Sequence, residues 1–524
     1  MDIHDRSFDA IVIGGGHNGL VAAAYLGKAG KRVLLLEASH RLGGALTTDE
    51  ISPDYKISTG AHLLDAMPRQ IEKDLKLAKH GLRYAARRVP TIVLDRDKQH
   101  IVLSTRRADL EIMRRHSAAD AAAYPAYVAR MKSHASLLTP LITEALPSAG
   151  MEQLRAVLRR IVWRAELMGS ASLEAFLRQM PGSIGDLLDD TFETPMLKGA
   201  LALDTLLGSR EGPYAAGTVL SSIYRGGLRS ASTGPHMIEG GLGAFVDALA
   251  AAAADFGVII RTSSAVKRIL VEGDAAKGVE TEEGEIFEAP LILSSAHPRA
   301  TMLGLVGAKH LDAGLARSLL HIADSGVTAK LNLALDGLPT IQGLAPVEYG
   351  ARLLIAPSLQ FLDEAFSRFK HNDFSSDLPM EVTIPSVQDA PLAPHGQHVM
   401  SIVVQYVPYD AAGGWEAKRD RLIARIVETL ACYAPEIGQR IVAGELMLPP
   451  DMERKFGLPG GNWYHGDMEL DQLLMFRPAP GLARYRTPLR GLYLCGVGSH
   501  PGGGISGLPG QLAARAAMQD RRRA

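Results

Sequence analysis

The chain is expected to adopt an α/β fold: a parallel sheet assembled from both ends and the middle of the sequence, with a mixed α+β region inserted between those pieces. Three stretches carry the expectation. Phe8–Leu36 reads as strand, glycine turn, helix and strand; residues 266–294 read as an alternating meander closing on a buried strand; residues 491–520 read as strand, glycine-rich loop and helix. At 524 residues the chain exceeds the roughly 250 to 300 at which a single core stops growing, so two domains are expected.

The first stretch, FDAIVIGGGHNG, ends its apolar run in Gly14, Gly16 and Gly19, a GxGxxG spacing. Gly14 permits the tight turn, Gly16 lets backbone approach a pyrophosphate at a helix N-terminus, and Gly19 allows close packing of helix on strand. His17 and Asn18 lie inside this turn, and an alanine-rich helix follows. The next apolar run, Arg32–Leu36, ends at Glu37, where a carboxylate about 20 residues beyond the glycines accepts hydrogen bonds from ribose hydroxyls. The whole series reads as a Rossmann-like dinucleotide unit. After Ala38 comes an RxGG element, Arg41, Gly43 and Gly44, then Ala45; a glycine pair here turns N–H groups toward phosphate.

One such unit is present. At GVGSHPGGG the third glycine position falls on Pro501, so no second dinucleotide fingerprint accompanies the first. The two cysteines, Cys432 and Cys495, are far apart and form no CxxC, which excludes disulfide-reductase chemistry and a thiolate zinc site. The 17 histidines show no metal-ligand spacing, and none is expected to hold a metal. With 56 Lys+Arg against 57 Asp+Glu the net charge is -1, which offers no basic field for nucleic acid. The N-terminal decapeptide lacks an apolar core, so a cytoplasmic protein is expected, with peripheral membrane contact left open.

Beyond Gly60, Ala61 and His62 the pattern is mainly helical to about residue 230, with strand signals at Thr91–Leu94 and His100–Leu103. Within it Met151–Met168 is a basic amphipathic helix, with Leu154, Val157, Leu158, Ile161 and Val162 on one face and arginines mostly elsewhere. It reads either as a core-packing helix with a solvated face or as an interfacial or substrate-entry helix. A helix after Gly240, a short strand, the meander and the buried run Leu291–Ser294 then re-enter the nucleotide sheet. Strands at VTAKLNLAL and HVMSIVVQYV and a helix from Trp415 make up the last insert. The expected division is a discontinuous cofactor domain (1–90, 230–300, 480–524) and a substrate domain with a helical insert (91–229, 301–479).

The acid followed by a glycine doublet resembles the FAD-dependent family that includes amine oxidases and phytoene desaturases. Many members carry arginine after the doublet; Ala45 stands there and suits the carotenoid branch. The closing run GVGSHPGGGISGLPG and GGNWYHGDMELDQLLMFRP (460–478) resemble phytoene desaturases, desaturase-type β-carotene ketolases and the pyridine nucleotide-disulfide oxidoreductase domain-containing protein 2 group. The resemblance implies one FAD. It places Val266 at the adenine end and Ser499, Ile505 and Gly507 near the ribityl chain and flavin ring, with Gly496, Gly498 and Gly504 in the same loop.

The function implied by this resemblance is that of an FAD-dependent oxidoreductase acting on a bulky apolar substrate, isoprenoid or carotenoid-like, by hydride transfer to or from flavin N5. A quinone or O2 would be the electron acceptor. Two other readings stay open: an O2-using oxidase or ketolase, and an FAD-fold membrane or partner-binding protein with little turnover. Four polar residues are catalytic candidates. His62 and His236 are each either cavity-facing or structural; His465 lies in an aromatic and acidic context; Lys330 interrupts an apolar strand, where a surface-pointing position is the simpler reading and a flavin-side lysine the alternative. Cys495 is expected to be a buried packing thiol.

Overall fold

The computed structural model describes residues 7–146, 151–230, 232 and 234–521. Strand β1 (Ala10–Ile13) is hydrogen-bonded in parallel to β2 (Val33–Leu36) on one side and to Ile292–Ser294 on the other. Ile259–Arg261 and Leu492–Leu494 complete a five-stranded parallel sheet at its two edges. AIVI and VLLL are buried at every position, as a sheet covered on both faces requires. Alternation then sorts side chains by face. Ala10, Val12, Val33 and Leu35 meet the helices, whereas Ile11, Ile13, Leu34 and Leu36 meet the meander through Ile269, Val279 and Phe287.

Helix α1 (His17–Lys28) starts at the glycine turn and lies between two later helices, Leu242–Asp255 and Leu508–Arg521. Its alanines permit that closeness. The meander, Val266–Glu272, Ala275–Thr281 and Ile286–Glu288, is a separate antiparallel sheet laid against the parallel one.

The second sheet has seven strands in the order Ile441–Met447, Thr328–Leu335, His398–Gln405, Met380–Thr383, Arg352–Ile355, Thr91–Val93, Ile101–Val102. One face carries Leu331, Leu333, Ile402, Val404, Leu353 and Val382 and packs on helix Arg419–Ala431. The opposite face carries Lys330, Asn332, Ser401, Glu381 and Arg352, all buried. Polar residues on one face of an antiparallel sheet normally meet water; these meet the segment after the strand Tyr55–Ser58, so this polar face is interior.

The inserted helices, Arg107–Arg114 through Thr218–Ser230, close the sides of the space between the sheets. Met151–Met168 and Ser170–Gln179 pack on this layer through Ala165, Met168, Leu173 and Phe176 but leave Leu158, Val162, Trp163, Leu167 and Leu177 exposed. The side chains of Leu154 and Val157 lie outside the described residues. Among the described residues no helix is long and apolar enough to cross a membrane.

The contact between α1 and the C-terminal helix is set by Gly510, where a Cβ would sit 2.1 Å from the Asn18 carbonyl oxygen. Gly510→Ala is expected to lower stability by about 1–3 kcal/mol and to reduce bound cofactor, read by thermal unfolding and by absorbance after purification. An unchanged midpoint would show that the contact between the two helices is slack.

Candidate active site

The glycine turn and the RxGG element meet at the sheet's carboxyl edge. Glu37 accepts the Gly15 N–H at 2.6 Å and the Ser39 N–H at 2.8 Å, and Gly43 donates to the Gly15 carbonyl at 3.0 Å. Gly43 and Gly44 both have positive φ, a conformation that L side chains resist. Added to Gly19, a Cβ would collide with the Gly14 carbonyl at 2.0 Å, whereas nothing lies within 4 Å of one built on Gly16 or Gly44. The turn is thus closed against protein on one side and open on the other.

That open side is a cleft of about 370 Å³ running past Gly14, Gly16, Glu37 and Ala38 to an apolar end at Val266, Ala300 and Leu305. Four buried polar atoms at or near it, His17 Nε2, Asn18 Oδ1, His465 Nδ1 and Ser499 Oγ, have no hydrogen-bond partner in the protein. Such groups normally find one. An open backbone cradle at a helix N-terminus, a carboxylate beside it, an apolar end and unpaired polar atoms fit a dinucleotide with a polar linker.

His17, Ala45, Leu46, Trp463 and Val497 also line a second cavity, of about 350 Å³. Its wall is largely apolar, with Leu63, Leu103, Leu201, Leu207, Val403 and Ile505, and Gly60, Ala61 and Gly504 supply backbone. One side is charged. His62 Nε2 lies 2.7 Å from Glu381, Glu381 accepts from Arg352 Nε at 2.6 Å, Arg352 pairs with Asp204 at 2.7 Å, and Asp204 with Arg229 at 2.7 Å. Arg229 also lies 3.6 Å from Asp65. Burial raises the Glu381 carboxyl pKa, but Arg352 and His62 pull it down to about 2; Asp204 is likewise held low by Arg229 and Arg352 against its burial. Both carboxylates are therefore ionised and paired.

Residues 19–514 match the family described as flavin containing amine oxidoreductase. The chain belongs to that family. It is an FAD-dependent oxidoreductase of the desaturase-like kind, and the protein is 35% identical over 546 residues to mouse pyridine nucleotide-disulfide oxidoreductase domain-containing protein 2, covering 98% of this chain and 94% of the relative. A limonene dehydrogenase polypeptide of Castellaniella defragrans is 27% identical over 549 residues, 98% of this chain and 95% of that protein. Phytoene desaturase (neurosporene-forming) of Cereibacter sphaeroides is 25% identical over 291 residues, 54% of each chain.

For this flavoenzyme the geometry sorts the residues singled out in the sequence. His62 lines the cavity, but an ionised Glu381 takes its Nε2–H and Ser401 Oγ lies 3.0 Å from Nδ1, so both nitrogens are engaged by protein. His236 is turned away: its Nδ1 accepts the Arg88 N–H at 3.2 Å and its ring packs edge-on against Tyr84. Lys330 is wholly buried, not surface-pointing, with Nζ donating to the Ser58 and Ala61 carbonyls; burial drives its pKa well below the ordinary lysine value. His465 borders the cofactor cleft, its pKa lowered to about 3 by burial and by Arg477 and His17. Cys495 is a buried thiol, as expected.

Arg41 lies outside the cleft, exposed and paired with Asp49 at the surface, because that acid is its nearest counter-charge. Gly496, Gly498 and Gly507 serve packing: a Cβ would meet Ser295 at 2.3 Å, Pro298 at 2.6 Å and Val21 at 3.0 Å. The sequence reading missed the ion network and Arg477. Arg477 is wholly buried and donates to the carbonyls of Tyr464, Gly466, Asp467, Gln472 and Val497. It thereby clamps the Trp463–His465 segment to the C-terminal glycine loop. The only sequence signal was its place in MFRPAP, inside the motif that begins at Gly460.

Glu381→Ala leaves Arg352 facing only Asp204 and His62 without an acceptor, and is expected to cost about 3–5 kcal/mol. Because the folded-state pKa of about 2 lies below the ordinary 4.5, the carboxylate's stabilisation is complete above pH 4.5 and lost as pH falls toward 2. Urea unfolding across that window should show a shallower pH slope in Glu381→Gln than in the wild type; equal slopes would assign the acid sensitivity elsewhere.

Proposed function

We propose that the enzyme oxidises or desaturates a bulky, largely apolar molecule of isoprenoid or carotenoid-like class. The observation that carries this reading is the apolar cavity that shares His17, Ala45, Leu46, Trp463 and Val497 as walls with the dinucleotide cleft. FAD would be held by Gly14, Gly16, His17, Asn18, Glu37, Ala38, Gly44, Ala45, Val266 and Ser499, with the N-terminus of α1 receiving its phosphates. When bound, the flavin supplies hydride acceptance or return. The parallel sheet and its flanking segments form the cofactor part in this reading, and the seven-stranded sheet with the helical insert forms the substrate part. Two relatives are named for limonene and for phytoene, both isoprenoid hydrocarbons, which supports the substrate class.

The protein's own contribution is orientation and exclusion of water. Leu46, Val403 and Ile505 present apolar walls, and Trp463 lines both cleft and cavity. Asp65, Asp204 and Glu381 are each paired with arginine and His62 has both nitrogens engaged, so none of these four is a free base in the cavity. His17 and His465 have pKa values lowered to about 4 and about 3, chiefly by burial, so both are neutral imidazoles at pH 7. They suit hydrogen bonding to a neutral or anionic group better than electrostatic binding of a cation.

Substrate entry from a membrane is part of the proposal. Leu158, Val162, Trp163 and Leu167 are exposed beside exposed Arg155, Arg159 and Arg160, a combination that suits the interface of an anionic bilayer.

The purified protein should be yellow and release FAD on denaturation, and an isoprenoid substrate should bleach the flavin absorbance anaerobically. Readmission of air with peroxide formation would mark O2 as acceptor; reoxidation only by a quinone would mark a dehydrogenase. A colourless protein that yields no flavin would end this reading. Leu103→Asp places an acid in the apolar wall and should weaken binding of an apolar ligand by about tenfold or more with flavin content unchanged, measured by fluorescence titration.

A further inference from the structure

We propose that the substrate's apolar body ends in a carboxylate and that Arg225 is the residue that receives it. The inference rests on the apolar-substrate reading and narrows it to an amphiphilic acid.

Three arginines and three carboxylates line the cavity: Arg225, Arg229, Arg352, Asp65, Asp204 and Glu381. Arg229 and Arg352 take all three acids, through Asp204 and Asp65 in the first case and Asp204 and Glu381 in the second. Arg225 takes none. It lies one helical turn before Arg229 on the helix Thr218–Ser230. Its Nη2 donates to the Leu207 carbonyl and, at 3.1 Å, to the Tyr464 hydroxyl; its Nη1 reaches only the Asp204 main-chain carbonyl, at 3.5 Å. The guanidinium also lies 5.6 Å from the centre of the Tyr464 ring. All these partners are neutral, and they leave Nε and most of the Nη1 donor capacity uncommitted. Arg225 is the one cavity-lining cation among the described residues without a carboxylate partner.

A pure hydrocarbon would leave that cation facing apolar groups, which costs free energy. A carboxylate matches it in charge and in planarity, and the Tyr464 hydroxyl and ring beside it help to position the guanidinium. A phosphate dianion fits less well. One uncommitted cation does not balance two charges, and Asp65 lines the same cavity as well as the small recess of about 30 Å³ that Arg225 shares with Gly503 and Gly504.

The test is equilibrium binding to the flavin-loaded protein, followed by tryptophan and flavin fluorescence, with retinoic acid, its methyl ester and retinyl phosphate as probes. The wild type is expected to bind the acid roughly tenfold or more tightly than the ester, as a charge-assisted hydrogen bond implies, and more tightly than the phosphate. Arg225→Gln should bring the acid to the ester's affinity while leaving the ester unchanged, and Arg225→Lys should retain part of the preference. Acid and ester binding equally to the wild type, an acid preference that survives Arg225→Gln, or a preference for the phosphate would each overturn the assignment while leaving the apolar-substrate reading intact. No binding of any of the three would overturn that reading and this inference together. The wild-type comparison stands on its own should Arg225→Gln fail to fold.

Discussion

Ile292–Ser294 bonds in parallel to β1 on one edge and to Leu492–Leu494 on the other, and the site depends on that pairing. It draws segments separated by nearly 500 positions into one sheet and puts their following loops at the same edge. The glycine turn after β1, Ser295 and Ala296 after the middle strand, and the glycine loop after Leu494 therefore converge. Close contacts lock the convergence: Ser295 Oγ donates to the carbonyls of Ile13 and Gly14, and Gly496 sits against the Ser295 carbonyl, too close for a side chain. Parallel pairing of distant strands is entropically expensive, and here an apolar sheet buried on both faces offsets it.

A second constraint acts at the other wall. The seven-stranded sheet is amphipathic in the ordinary way, yet its polar face is turned inward onto the cofactor side. Lys330, Asn332 and Ser401 meet the carbonyls and side chains of the Ser58–His62 segment, and Glu381 and Arg352 carry the network onward to Asp204 and Arg229 on the inserted helices. Charge and hydrogen bonding thus reinforce the apolar contacts, such as Tyr55 and Ile57 against Ala334 and Val399, that join these parts of the chain. Once those pairs are made, the surface left to the cavity is apolar except at a few positions, and this gives the enzyme a largely greasy chamber beside buried ions. The same logic isolates Arg225, whose neighbours supply only neutral acceptors.

How far the site was legible depends on the range of the forces involved. Gly14, Gly16, Glu37 and Gly44 announced themselves because backbone conformation and the approach to a dinucleotide are local demands, met within some thirty residues of chain. Lys330 was misread because strand alternation tells which residues share a face and is silent about what covers that face. His62 was recognised as a candidate, but its engagement by Glu381 and Ser401 involves residues more than 300 positions away. Arg41 followed its motif in sequence and left it in space, since Asp49 on the adjoining strand offered a nearer counter-charge.

By itself the amino-acid order determined the α/β class, the single dinucleotide unit and the flavin family, because each is written in short-range patterns: glycine spacing, burial period and the place of one acid. The assembly of the cavity, the pairing of its ions and the placing of Arg225 without a carboxylate partner were decided only by the tertiary structure. Those features are sums of contacts between distant segments, and a side chain's protonation and orientation depend on which groups arrive opposite it when the sheets and helices close.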